Sequence, residues 1–286
     1  MSAHLQKRIE CIEQLPPLRD VIAQHGLSAQ KSLGQNFLLD MNITDKIVRE
    51  AMVRDSNGWD GVHAFEIGPG PGGLTRSLLK SPVDKVSAIE LDQRAITALD
   101  DLVTQSQKDL RVIEQDAMRT DLTLLGDAPR IIVANLPYNI ATPLLVGWLK
   151  LIREDTSSYQ SMTLMFQKEV ADRITAPPNT KSYGRLAVIS QWLCQVTKIY
   201  DLPPSAFTPP PKVMSAVVHF TPRTLAPNSP DFGSVERVTA AAFNQRRKMI
   251  RSSLKEYADA INSLGINPQK RAENLSVQDY INIASF

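Results

Sequence analysis

The sequence predicts an α/β fold, a parallel sheet with helices on both faces, followed by a small all-helical C-terminal domain. Three observations predict it. From VHAFEIG onward, short apolar runs alternate with segments of helical spacing. A glycine-proline cluster stops the first of these runs and precedes a helical segment. After TPRTLAPNSPDFG the pattern becomes helical only. Such alternation implies parallel strands joined by helical crossovers, and a parallel sheet has to be covered on both faces.

The elements follow in order. PPLRDVIAQHG predicts a short helix opening on proline and closing on Gly26, and NITDKIVREAMV has helical spacing. VHAFEIG, KVSAIELD, LRVIEQD and RIIVAN predict four strands. LTRSLLK and QRAITALDDLV predict the helices after the first two, and TPLLVGWLKLI the helix after the fourth. SMTLMFQKEVADRI predicts a fifth strand running into a helix. LAVISQWLCQVTKIYDLP and SAVVHFTPR predict the last strands, a hairpin-like pair that puts one antiparallel strand into the sheet. The loop TPRTLAPNSPDFG, rich in Pro, Asn and Ser, sets the expected boundary between a domain of residues 1–222 and one of residues 223–286.

The chain has 286 residues, 43% of them hydrophobic and 22% charged, which suits one large domain plus a small one. Its net charge of +2 is too mild to indicate a nucleic-acid partner, so the placement of charge matters more than its sum. Cys11 and Cys194 are too few for a disulfide framework, and the histidines are scattered singly, so no metal site is expected. No apolar run has the length of a membrane span. MSAHLQKRIECIEQLPPL carries Glu10 and Glu13 and lacks an apolar h-region, so no signal peptide is expected. A cytoplasmic location is the reading.

FEIGPGPGGLT places Gly68, Gly70 and Gly73 in G-x-G-x-x-G spacing between strand and helix, with Glu90 closing the next strand. By spacing alone this is a dinucleotide fingerprint, in which glycines admit a ligand to the backbone and the carboxylate holds a ribose. Pro69 and Pro71 tilt the reading, because they lack the N–H donors that a pyrophosphate cradle needs. S-adenosyl-L-methionine, whose tail carries an ammonium and a carboxylate, fits better. Asp116 at the next strand end can accept the exocyclic amine of the cofactor's adenine. Glu66 with Gly68, Glu90, Asp116 and Asn135 would then line the carboxyl edge of the sheet, where open parallel sheets bind ligands.

NLPYNI follows RIIVA directly. Methylating an exocyclic amine is hard because its lone pair is delocalised into the ring. The side-chain oxygen of Asn135 and the carbonyl of Leu136 can accept hydrogen bonds from such an amine and favour a pyramidal nitrogen. The developing positive charge then meets aligned dipoles. Pro137 fixes its own φ and biases Leu136 to an extended conformation. Tyr138 offers a face on which a purine stacks, a contact worth roughly 1–3 kcal/mol.

Through QKSLGQNFLLD, FEIGPGPGGLT, AIELD, EQDAM, NLPYNI, MFQKEVADRI, YGRLAV, FTPPPKVMSAVVHF and FNQRRKMIRSSL, the chain resembles the ribosomal small-subunit RNA adenine N6,N6-dimethyltransferases over almost its whole length. The resemblance implies a Rossmann-like, S-adenosylmethionine-dependent methyltransferase sheet with a small helical RNA-contacting domain. It implies dimethylation of two adjacent adenosines in the 3′-terminal hairpin of 16S rRNA during ribosome biogenesis, by a monomer acting on a pre-30S particle. Carried over, cofactor contacts fall on Asn36, Leu38, Gly68, Glu90, Asp116 and Asn135. The target base would lie between Tyr138 and Phe207, with Asn135, Leu136 and Pro137 completing the catalytic loop. Ala141 and Ala187 stand where many members carry Ser.

Two further segments belong to this reading. FNQRRKMIRSSLK holds Arg246, Arg247, Lys248, Arg251 and Lys255 with no acid among them. On one helix, residues 247, 251 and 255 would form a basic stripe facing RNA phosphates. QKSLGQNFLLD reads as a lid anchored beside the cofactor. Among rivals, a large-subunit rRNA dimethyltransferase would share the pocket but differ in its RNA-facing part. A DNA adenine methyltransferase more commonly shows D/N-P-P-Y, a dehydrogenase is disfavoured by the loop prolines, and a pure assembly-binding factor by the intact Glu90, Asp116 and Asn135.

Overall fold

The computed structural model describes residues 2–27, 34–107 and 109–286. The first four residues of QKSLGQNFLLD, 30–33, lie outside the described residues. The described strands are β1 (Phe37–Leu38), β2 (His63–Ile67), β3 (Lys85–Glu90), β4 (Leu110–Glu114), β5 (Arg130–Ala134), β6 (Ser161–Gln167), β7 (Cys194–Leu202), β8 (Phe207–Thr208) and β9 (Ser215–Pro222). Seven of them form one sheet in the order β4-β3-β2-β5-β6-β9-β7. The pairs β3–β4, β2–β3, β2–β5 and β5–β6 are parallel. β1 and β8 form a separate antiparallel pair, Phe37 opposite Thr208 and Leu38 opposite Phe207.

The order explains where a ligand can enter. From β2 the chain winds outward through β3 to β4, then returns to place β5 on the other side of β2. The connections on the two sides of this switch point diverge and leave a crevice at the carboxyl ends of β2 and β5. β2 and β5 are buried at every position but the first, as strands covered on both faces must be.

The helices are α1 (Ala3–Glu13), α2 (Leu18–Gln24), α3 (Met41–Arg54), α4 (Gly73–Leu79), α5 (Gln93–Ala98), α6 (Asp100–Gln105), α7 (Tyr138–Glu154), α8 (Lys168–Ile174), α9 (Arg185–Leu193), α10 (Phe232–Asn244), α11 (Ile250–Ser253), α12 (Ala258–Ser263) and α13 (Val277–Ala284). Two compact units are present: Met1–Val146 with Ser157–Lys168 and Lys198–His219, and Gly147–Thr156 with Glu169–Thr197 and Phe220–Phe286. In the first, α3 and α4 pack together, and Leu74, Leu78 and Leu79 join Ile47, Val48 and the β2, β3 and β5 residues in one apolar core. In the second, α9, α10 and α13 pack on one another. Phe243 stacks on Tyr280 there, and the buried Tyr280 hydroxyl donates to the carbonyl of Ala272 at 2.7 Å.

Three expectations need correction. LAVISQWL is helix α9, not strand; only Cys194 onward is extended. Ala187, Val188, Ile189, Ser190, Trp192 and Leu193 are all buried, and so long a run of consecutive buried residues blurs the 3.6-residue alternation that would reveal a helix. FNQRRKMIRSSLK is not one helix, so the stripe 247-251-255 does not form. α10 ends at Asn244, and α11 begins only after Met249, which bridges to Arg271 while the Ile250 N–H bonds the Lys270 carbonyl. Finally, the N-terminal residues form α1, which no sequence pattern had marked, and the helix of TPLLVGWLKLI begins earlier, at Tyr138.

Candidate active site

At the switch point lies a cavity of about 200 Å³, lined by residues 34–38, the 66–71 turn with Gly73, Glu90, Asp116 and the run Asn135–Ile140. Asn36, Leu38, Gly68, Glu90, Asp116, Asn135, Leu136, Pro137 and Tyr138 therefore share one site. Phe207 is not among its lining residues. Its side chain is 3% exposed and packs in the core, while its backbone pairs with Leu38. Arg246, Arg247, Lys248 and Arg251 belong to the second unit.

The glycine loop uses its own donors. Gly68 N–H bonds the Ile89 carbonyl at 2.9 Å, Gly72 N–H bonds the Pro69 carbonyl at 3.0 Å, and Gly70 N–H lies 3.4 Å from Glu90 Oε2. Pro69 and Pro71 have none to give. A pyrophosphate finds few free N–H groups here. Gly70 has φ +53° and a Cβ there would sit 2.8 Å from the Phe37 ring, so only glycine fits on both counts. A Cβ on Gly73 would sit 2.5 Å from the Leu38 carbonyl oxygen. The loop and the GQNFL segment are thus fitted to each other without room for a side chain.

The acids are held differently from one another. Glu90 Oε1 accepts the N–H groups of Leu91 (2.8 Å) and Asp92 (2.9 Å), which point the carboxylate into the cavity. Burial raises its pKa and these N–H bonds oppose the rise. Glu66, 2% exposed, has its pKa pushed up to about 8 by burial, with Glu90 adding to the effect. The nearby Thr75 hydroxyl works the other way, but no hydrogen bond closes on Glu66 Oε2. Asp116 is more open, its side chain 42% exposed; Oδ1 caps the turn at Met118 N–H and Oδ2 has only Arg119 at 3.7 Å. Asp92 caps α5 and takes the Gln35 amide at 3.2 Å.

The NLPY turn is fixed at both ends. Asn135 Nδ2 donates to the carbonyl of Asn36 at 2.9 Å, a bond that only the NH₂ half of the amide can make. That choice leaves Oδ1 as an acceptor to which no described residue donates. Pro137 starts α7, its carbonyl taking the N–H groups of Ile140 and Ala141. Tyr138 Oη and Ser215 Oγ are 2.6 Å apart, which restrains the half-buried ring. Burial raises the Tyr138 pKa, so the phenol stays neutral.

Sequence reasoning missed two of these functional contacts. Asn36 acts on Asn135 through its main chain, which no side-chain pattern reports. Ser215 orients Tyr138 from 77 residues away, and its signal was the terminal Ser of FTPPPKVMS. Ala141 and Ala187 are both buried.

Comparison with known proteins fits this geometry. A family model for ribosomal RNA adenine dimethylase matches residues 26–286. Ribosomal RNA small subunit methyltransferase A of Rhodospirillum rubrum is 50% identical over 275 residues, spanning 94% of this chain and 92% of that protein. The protein of the same name from a Ruegeria species is 51% identical over 280 residues, spanning 96% and 98%. A solved dimethyladenosine transferase from Plasmodium falciparum matches with a TM-score of 0.71 at 26% identity, over 85% of this chain and 94% of that one. The 23S rRNA methyltransferase ErmE matches with a TM-score of 0.65 at 21% identity, over 87% and 98%, a likeness of fold alone. By family match, relatives and site together, the chain belongs to the ribosomal RNA adenine dimethylase family.

Proposed function

We propose that this chain dimethylates N6 of two adjacent adenosines in the 3′-terminal hairpin of 16S rRNA, using S-adenosyl-L-methionine, during ribosome biogenesis. It would act as a cytoplasmic monomer on a pre-30S particle, with cofactor chemistry in residues 1–222 and RNA contact in residues 223–286. One observation carries the reading: Asn135 is locked through its NH₂ group at a cavity wall, with its oxygen engaged by no described residue. An amide so held is an acceptor waiting for an N–H donor.

The residues fit the cofactor. Glu66 offers a buried carboxyl oxygen without a partner among the described residues, suited to a cationic ammonium. Among the described residues Glu90 Oε2 has only the long Gly70 contact, leaving it to a ribose diol, and Asp116 Oδ2 has only Arg119 at 3.7 Å, leaving it to an adenine amine. The loop's engaged N–H groups disfavour a dinucleotide. When bound, the cofactor supplies an electrophilic methyl group on a sulfonium.

The chain's own residues do the rest. In the first transfer Asn135 Oδ1 and the Leu136 carbonyl would accept the two N–H bonds of the target amine and turn its lone pair out of conjugation; in the second, one of them would accept the single N–H that remains. The same two oxygens would stabilise the positive charge that develops on N6 as it takes up the methyl group. The extra proton then leaves N6 for solvent. Tyr138 stacks on the base, held by Ser215. Phe207 completes the stack only after its ring leaves the core, so the reading includes a β8 side-chain movement on RNA binding.

The test is incubation with methyl-labelled cofactor and undermethylated small subunits, followed by mapping. Label on two neighbouring adenosines as the dimethyl form supports the proposal. Label on large-subunit RNA, or none, overturns it.

A further inference from the structure

Residues 2–25 precede the segment matched by the family model, yet they pack behind the cofactor-facing turns. Arg8 is 2% exposed, with Nη1 donating to Asp109 Oδ2 at 2.6 Å and Nη2 to the carbonyls of Ser81 (2.8 Å) and Val83 (3.0 Å). A charge so deeply buried holds α1 in one register. From α4, Arg76 Nη1 reaches back to the Pro16 carbonyl at 2.8 Å and fixes the turn into α2.

α2 then meets both halves of the cavity wall. Leu18 Cδ1 lies 3.2 Å from where a Cβ on Gly73 would be, so it backs the N-terminus of α4 just behind the glycine loop. Val21 and Leu27 form a separate apolar cluster with Ala95 and Ala98 of α5. α5 has six residues, too few to hold its own shape in water. It springs from the Glu90–Asp92 turn, whose N–H groups aim the Glu90 carboxylate. Anything that steadies α5 steadies that carboxylate.

We infer that α2, its entry turn held by Arg76, is a positioning element for the cofactor site, and that Leu18 and Val21 are its positioning residues. This rests on the cofactor reading above. α2 touches no substrate. It keeps the Gly73 and Glu90 turns in the geometry that binding requires, so its loss should appear as weaker cofactor binding with the chemical step intact.

The experiment compares two full-length variants. Leu18→Ala/Val21→Ala uncovers both turns. Arg8→Met loosens α1 at the opposite ends of the strands and serves as a stability control. S-adenosylhomocysteine binding is measured by calorimetry, with cofactor KM, kcat and thermal midpoint alongside. The double variant should bind the probe roughly tenfold more weakly (about 1.4 kcal/mol) and raise KM to match, with kcat at saturation within twofold of wild type. Arg8→Met should lower the thermal midpoint with probe affinity unchanged, and Val21→Ile, which keeps an apolar side chain against Ala95 and Ala98, should bind the probe as wild type does. If the double variant does not fold, Val21→Ala alone is measured with the same expectation at smaller size. A drop in midpoint without loss of probe affinity, or equal affinity losses in both variants, overturns the inference. An inactive wild type that still binds the probe would strike the proposed reaction and leave this inference standing.

Discussion

The cavity wall and the basic segment are opposites in how they are held. Around the cavity each key residue is fixed by another: Phe37 by Gly70, Gly70 by Glu90, Asn135 by Asn36, Tyr138 by Ser215. In the segment 246–251, Arg246 alone has a side-chain anchor, bonding Glu273 Oε2 at 2.7 Å and the Thr180 carbonyl at 3.1 Å. Arg247, Lys248 and Arg251 are exposed, and no described side chain pairs with theirs. Chemistry at a reacting atom needs preorganised groups, whereas a phosphate backbone can be met by cations that adjust on contact. The difference predicts that substitutions in one region act on rate or cofactor binding, and in the other on salt dependence.

The largest expected effect falls on Asn135. Asn135→Ala should lower kcat about 100-fold or more, as loss of a charge-stabilising group does, with cofactor affinity changed only a few-fold. Asn135→Asp should be at least as poor, since a carboxylate cannot donate to the Asn36 carbonyl. Steady-state kinetics with calorimetry separate the two quantities, and equal losses in both would undo the assigned role. Next comes Gly70→Ala, which forces a Cβ against Phe37 at positive φ. Strain of about 1–3 kcal/mol should weaken cofactor binding roughly tenfold or more, and unchanged affinity would show that the loop yields.

Smaller effects sharpen the contrast. Tyr138→Phe and Ser215→Ala should each lower kcat roughly three- to tenfold, with the double variant no worse than either, because one hydrogen bond is lost in all three. Additive losses would show that the pair does not act as a unit. In the basic segment, Arg247→Gln/Arg251→Gln should reduce the slope of log affinity against log salt by about 1.5. Arg246→Gln should instead lower the thermal midpoint, and a reversal of these two outcomes would erase the distinction between anchor and contact.

A further prediction concerns stability against pH rather than rate or binding. Folding raises the Glu66 pKa from 4.5 to about 8. Below the unfolded value both states are protonated and the contribution to stability is full. As pH rises towards about 8 the unfolded chain ionises while the folded one holds its proton, so stability is lost. Glu66→Gln should flatten that part of the stability–pH profile of the cofactor-free protein, as followed by denaturant titration.

Much of the site was legible because each motif residue stands at a strand end, where its chemistry has a reason independent of its neighbours. A glycine turn, an acid closing the next strand and an amide after the fourth are all readable one at a time, and all line the one cavity. Their couplings were not readable: Asn36 with Asn135 and Tyr138 with Ser215 are joined across 99 and 77 residues. Helix α9 was hidden by its long run of buried residues, and α1 by the polar residue that anchors it, Arg8. The basic stripe failed for a related reason. Periodicity assumed a continuous helix, and the Met249–Arg271 bridge interrupts it. The cations remain exposed near one another in sequence, but without the helical register first expected.

The most direct measurement is a structure with S-adenosylhomocysteine and an RNA hairpin carrying the two adjacent adenosines. The account predicts one adenine stacked on Tyr138, its N6 about 3 Å from both Asn135 Oδ1 and the Leu136 carbonyl, a hydrogen-bonding distance. An adenine bound elsewhere, or an Asn135 whose oxygen has turned to another partner while the base sits in the cavity, would contradict it.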